Sequence, residues 1–125
     1  MSRLKPIEYA DAPPAVRAVY DDIKTSRNLK DVNNFWKYLA HDPVVLRRTW
    51  ESVKEVMAPG ALDPLVKEMI YLAVSTSNGC GYCIASHTAA ARKAGMTDAM
   101  FGEVMAVSAW PTRPTGWSTA TACRS

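Results

Sequence analysis

The sequence predicts an all-α domain of about six helices. Apolar residues recur at three- and four-residue spacing along most of the chain, which is the spacing of one helical face. Asp42-Pro43 and Asp63-Pro64 are strong helix starts, because aspartate suits the N-cap and proline suits the first helical position. The alternation of apolar and polar residues that would indicate strands is weak.

The first three helices are delimited by proline, glycine and asparagine. Pro13-Pro14 can open the first helix, which has an apolar stripe and runs to about Arg27. Aromatic residues after the loop 28–33 suggest a short second helix over about 34–40. The third begins at Asp42-Pro43 and stops at Pro59-Gly60. Residues of the first stripe expected in the core are Val16, Val19, Tyr20 and Ile23.

The next three helices are separated by short sequences that predict helix ends. The fourth begins at Asp63-Pro64 and runs to about Ser77, where Asn78-Gly79 predicts a helix stop and a tight turn. The fifth begins at or near Cys80 and continues to Ala94. The sixth begins at Thr97-Asp98 and extends through Val107.

The helical pattern breaks after about residue 108. We therefore predict a helical domain over 1–108 and an irregular C-terminal tail over 109–125, which is rich in Thr, Ser, Pro, Arg and Ala. An alternative interpretation is a non-native end, as a reading-frame shift would produce.

Composition excludes several classes of function. The net charge of +3 is small and the basic residues are interleaved with acidic ones, which argues against nucleic acid binding. Apolar runs are too short for a transmembrane helix, and Met1–Pro6 lacks the apolar region of a signal peptide, so a cytoplasmic location is expected. Two of the three cysteines are spaced C-x-x-C, which indicates a redox or metal role.

The stretch from Cys80 to His87 carries the most chemical information. Cys80 and Cys83 are three residues apart and His87 follows Cys83 by four, so all three lie on one side of a helix. At a helix N-terminus the macrodipole favours the thiolate, which is the reactive form. His87 has the spacing to hydrogen-bond Cys83, directly or through a water, and to accept its proton.

Glu68 is a further candidate, on the preceding helix. It shares a face with Leu65 and Leu72, so its carboxylate is expected to be partly desolvated and suited to a general base. The alternative is a solvated residue at the edge of that face. Because Asn78-Gly79 folds the next helix back, Glu68 could approach His87 across the helix pair.

Glu68, Cys80, Cys83 and His87 resemble the E-x11-C-x-x-C-x3-H signature of alkylhydroperoxidase D-like proteins, in the carboxymuconolactone decarboxylase superfamily. The similarity is greatest to the branch of peroxidase-related proteins. It implies an all-α fold, homo-oligomers, and reduction of a small hydroperoxide by the cysteine pair with an external dithiol as reductant. No metal, flavin or haem is implied.

The resemblance also implies a role for each of these four candidate catalytic residues. Cys83 corresponds to the thiol that attacks the peroxide and Cys80 to its resolving partner. Glu68 and His87 correspond to the proton relay. One departure is Tyr82, which stands where the best-known members have a second histidine. Another is the segment 110–125, which does not match the helical continuation of the family.

Two other classes of function remain open from the sequence alone. The chain could be a non-catalytic redox sensor or an oligomeric interaction module, in which a disulfide forms without turnover. It could also bind zinc through Cys80, Cys83, His87 and Glu68, although three of these ligands are crowded into two helical turns.

Overall fold

The computed structural model describes residues 3–109, and within this range it contains helices and turns but no strand. The predicted all-α fold and the order of six helices are confirmed, and a short 3-10 turn at Tyr9–Asp11 precedes them. The tail predicted over 109–125 lies outside the described residues, apart from Ala109. The helices are α1 (Pro14–Arg27), α2 (Asn34–Leu39), α3 (Pro43–Met57), α4 (Pro64–Asn78), α5 (Gly81–Lys93) and α6 (Asp98–Ala109).

None of the helices within residues 3–109 has the length and apolar character needed to cross a membrane. The chain divides into two compact units, one up to Val56 and one from Met57 onward. The boundary falls at the end of α3.

The first unit has an apolar core built from α1, α2 and the greater part of α3. The four residues of the predicted α1 stripe are all buried in it, which confirms that prediction. Tyr20 is fully buried, and its hydroxyl donates a hydrogen bond of 2.8 Å to the carbonyl of Ile7. The buried residues of this core are Ala12, Val16, Val19, Tyr20, Ile23, Val32, Trp36, Ala40, Leu46 and Trp50.

A buried lysine forms ion pairs with two separate segments of the first unit. The Lys37 ammonium donates to carboxylate oxygens of Asp31 and Glu8, each at 2.7 Å. The hydrogen bond with Asp31 is the main reason why the pKa of Lys37 is raised, and the same bond lowers the pKa of Asp31. The charge of this lysine is thus compensated where it is removed from water.

In the second unit α4 packs against both α5 and α6. Leu72 and Ala91 are fully buried and Met96 nearly so. Around them lie side chains that are only partly buried, so the core of this unit is thin. These side chains are Leu65, Met69, Ile84, Met100, Phe101, Val104 and Met105. Helix α4 therefore forms the common support on which α5 and α6 lie.

The connection between α4 and α5 consists of Gly79 and Cys80. Gly79 has a φ of 69°, in the left-handed region, and its N–H donates to the Thr76 carbonyl at 3.1 Å. The Cys80 N–H donates to the Ser75 carbonyl at 3.0 Å. These bonds satisfy carbonyls at the end of α4 and reverse the chain within two residues. The structure thus forms the predicted stop at Asn78-Gly79, with helix ends within one residue of expectation.

Gly79→Ala is expected to destabilise the protein by about 1–2 kcal/mol, because a side chain is disfavoured in the left-handed region. The matched control is Gly102→Ala, inside α6, where an added Cβ has no atom within 4 Å. This control should be neutral or stabilising by up to about 1 kcal/mol. Urea unfolding of the three proteins measures both effects, and equal stability of the two variants would contradict the role assigned to the turn.

Candidate active site

The two cysteines lie at the start of α5. Cys80 is the N-cap residue, and its Sγ accepts a hydrogen bond of 3.2 Å from the backbone N–H of Cys83. The two cysteines are joined by a disulfide, with 5.3 Å between their Cα atoms. Both cysteines therefore lie at a helix N-terminus, where the helix dipole favours negative charge. After reduction, this position would stabilise a thiolate.

Glu68 and His87 meet between α4 and α5. The Glu68 carboxylate Oε2 is 2.7 Å from Nδ1 of His87. The Glu68 side chain is 17% exposed to solvent and the His87 side chain is 10% exposed. When the Glu68 carboxylate is ionised it can only accept a hydrogen bond, and the imidazole then carries a proton on Nδ1. The opposite ring nitrogen, Nε2, is then the one suited to exchange a proton with a reacting group.

Tyr71 is a third member of this contact, and the sequence analysis did not identify it. Its ring lies on the face of the His87 imidazole, with 3.6 Å between the ring centroids and 18° between the planes. Tyr71 follows Glu68 by three residues on α4, so the two share a helical face. That spacing shows that Tyr71 shares a face with Glu68, but it does not show which side chain of α5 the tyrosine ring contacts.

The structure places all four predicted site residues in the second unit. Glu68 is on α4, and Cys80, Cys83 and His87 are at the N-cap, in the first turn and in the middle of α5. Within the described residues His87 makes no direct hydrogen bond to either sulfur. With the His87 proton on Nδ1, neither Nε2 nor a disulfide sulfur can donate, so such a bond is not expected in this state. The catalytic roles stay predictions.

Tyr82 stands between the cysteines in the first turn of α5 and is 42% exposed. Its side chain therefore lies at the surface of the second unit. With regard to the zinc alternative, residues 3–109 contain no group of three or more His, Cys, Asp and Glu side chains arranged to hold a metal ion.

The sequence profile described as "Carboxymuconolactone decarboxylase family" matches residues 43–124, which include α3 to α6 and the whole candidate site. The chain belongs to the carboxymuconolactone decarboxylase family. The resemblance inferred from the signature at Glu68, Cys80, Cys83 and His87 is thus confirmed at the level of the family.

Two known proteins of alkylhydroperoxidase type are similar to this family member. The crystal structure titled "Alkylhydroperoxidase AhpD core", from Rhodospirillum rubrum, is 54% identical, with a TM-score of 0.79; the match covers 86% of this chain and 82% of that one. "Alkyl hydroperoxide reductase AhpD" of Azorhizobium caulinodans is 29% identical over 108 residues. That match covers 82% of this chain, which spans 59% of the length of the curated relative.

The contact between Glu68 and His87 is expected to stabilise the oxidised protein as a coupled pair. A double-mutant cycle with Glu68→Gln and His87→Asn should give a coupling of about 1–2 kcal/mol, because Glu68→Gln removes the charge that strengthens this largely buried hydrogen bond and His87→Asn removes the imidazole. Unfolding free energies of the four proteins in urea measure it. Additivity to within about 0.3 kcal/mol would contradict the coupling.

Proposed function

We propose that this chain is a thiol-dependent peroxidase that reduces small hydroperoxides through a Cys80–Cys83 dithiol/disulfide cycle. The observation that carries the proposal is the grouping within one helical hairpin of a redox-capable cysteine pair and a carboxylate–imidazole pair. The sulfurs lie at the start of α5, and His87, held by Glu68 at 2.7 Å, lies one turn after Cys83. The alkylhydroperoxidase names of the two similar proteins support the same reaction class.

In the first step Cys83 acts as the attacking thiol. His87, with Glu68 at its Nδ1, takes the proton of the Cys83 thiol. The thiolate attacks one peroxide oxygen, an S–O bond forms and the O–O bond breaks. The departing alkoxide takes a proton from His87 and leaves as the alcohol. Cys83 is oxidised to the sulfenic acid, and the hydroperoxide is reduced by two electrons.

In the second step Cys80 resolves the sulfenic acid. The N-cap position and the Cys83 N–H favour the Cys80 thiolate, which attacks Sγ of Cys83. The S–S bond forms, the S–O bond of the sulfenic acid breaks, and the hydroxyl group leaves as water with the proton that the Cys80 thiol gave up to His87. An external dithiol then reduces the disulfide by two thiol–disulfide exchanges and is itself oxidised to a disulfide. The net reaction converts one hydroperoxide and one dithiol into alcohol, water and disulfide.

Variants at the two cysteines and at Glu68 test this cycle. Cys83→Ser should abolish consumption of an organic hydroperoxide, because the attacking sulfur is gone. Cys80→Ser should still react once and accumulate a sulfenic acid or a mixed disulfide. Glu68→Gln should slow the first step by about 10²-fold without unfolding the protein, since it weakens a general base. Peroxide loss, a sulfenic acid probe and thermal unfolding are the measurements.

Different results would contradict different parts of the proposal. Full activity of Cys83→Ser would show that the roles of the cysteines are wrong. A wild-type protein that forms the disulfide once but shows no turnover with any dithiol would favour a redox sensor instead. Loss of the folded state in Glu68→Gln would make this residue structural.

We further propose that the chain works as a homo-oligomer, which is supported by apolar surface on the second unit. Helix α6 is apolar on nearly every side but contains no buried residue, and its Val107 is 76% exposed. On α4, Ile70 and Val74 are one turn apart and about half exposed, at 49% and 53%. Helices that are apolar all round are normally covered. A second copy of the same surface is the proposed cover.

Light scattering coupled to gel filtration is expected to give a multiple of the chain mass of 13.7 kDa. Val74→Glu should reduce the mass toward that of one chain, because it places a charge in the proposed interface. Val45→Glu is the matched control: this valine of α3 is also exposed, and its replacement should leave the mass unchanged. A single-chain mass for the wild type would contradict the proposal.

A further inference from the structure

Tyr71 and Glu68 hold the same imidazole from two directions. Glu68 contacts the edge of the His87 ring, with 2.7 Å between Oε2 and Nδ1. Tyr71 covers its face, with the two rings 18° from parallel and 3.6 Å between centroids. Both come from α4 at a spacing of three residues, so a single rigid element provides both contacts. His87 itself lies on α5, across the hairpin.

The two contacts restrain different motions of the imidazole. The outer torsion of a histidine side chain is soft, with a broad distribution of angles. A hydrogen bond at Nδ1 fixes the position of one ring edge but leaves the ring free to tilt about it. Stacking against Tyr71 removes that tilt. Because both the edge and the face of the ring are held, the Nε2 lone pair points in one fixed direction. A group that transfers protons requires such a fixed orientation.

The tyrosine ring also suits the charge that His87 would carry during the proposed reaction. The face of an aromatic ring bears partial negative charge and attracts a cation placed over it. When His87 accepts the thiol proton, the imidazolium would lie over that face and against the Glu68 carboxylate. The contribution belongs to the ring face, so phenylalanine should supply it as well as tyrosine.

We infer that Tyr71 is a positioning residue for the proton relay, acting through His87 by ring stacking. This inference rests on the proposed peroxidase function for its kinetic consequence, although the stacking itself does not. It predicts that an aromatic residue is needed at position 71, and that the need disappears when His87 is replaced.

The kinetic test measures the rate at which reduced protein forms the Cys80–Cys83 disulfide with an organic hydroperoxide. Tyr71→Phe should stay within about twofold of wild type, whereas Tyr71→Leu should be slower by about tenfold. In a His87→Gln background, Tyr71→Leu should cause no further loss, because the residue it acts through is absent. Tyr71→Met, which is also non-aromatic, replaces Tyr71→Leu if the latter does not fold.

Three kinetic results would overturn the inference. The first is a wild-type rate of disulfide formation in the non-aromatic variants. The second is a decrease of this rate in Tyr71→Phe as large as in Tyr71→Leu. The third is a decrease caused by Tyr71→Leu that persists unchanged in the His87→Gln background. The last result would show that Tyr71 supports the fold rather than the relay.

A second readout does not depend on peroxide chemistry. The chain contains two histidines, His41 and His87, so ¹⁵N NMR of the imidazole nitrogens can be assigned with a His41→Gln variant. At a pH where the ring is neutral, wild type and Tyr71→Phe should show His87 with its proton on Nδ1. Tyr71→Leu should keep this tautomer, because Glu68 still accepts from Nδ1–H, but ¹⁵N relaxation should show greater motion of the His87 ring. Equal ring motion in all three proteins would overturn the inference even if the chain reduces no peroxide.

Discussion

The two-residue reversal between α4 and α5 is the constraint on which the site depends. Gly79 takes a left-handed conformation that other residues adopt at a cost, and the chain turns back before Cys80 caps the next helix. The register of α5 on α4 follows from this turn. Because helices are stiff, that register decides which residues of α4 face His87. These residues lie eleven and eight positions before Gly79. Glu68 and Tyr71 are the residues that this register selects.

The same reversal separates two kinds of chemistry within one hairpin. At the N-terminal end of α5, the Cys83 N–H donates to Cys80 Sγ, and the helix dipole favours a thiolate there after reduction. One turn further on, a carboxylate and an aromatic face surround the imidazole in a largely buried setting. In the proposed cycle, charge stabilisation and proton transfer therefore belong to different groups.

Local signals in the sequence were sufficient for the helices and for most of the site. Proline, aspartate and glycine mark helix ends through their own backbone preferences, so starts such as Asp63-Pro64 were predictable. The pairing of Glu68 with His87 could be anticipated from the helical periodicity of α4 and α5 and from the turn that joins them. The stacking of Tyr71 was not, since spacing shows which face a residue shares but not which neighbouring ring it meets. Nor does periodicity alone reveal that α6 would bury none of its apolar residues fully.

The central claim is that Cys80 and Cys83 exchange electrons with a hydroperoxide. Its most direct test is the intact mass of the fully reduced, metal-free protein before and after one equivalent of an organic hydroperoxide, with the disulfide mapped by digestion. The account predicts a loss of about 2 Da assigned to a Cys80–Cys83 bond, as expected when a sulfenic acid is resolved by a second thiol. An unchanged mass with both thiols still free would contradict it.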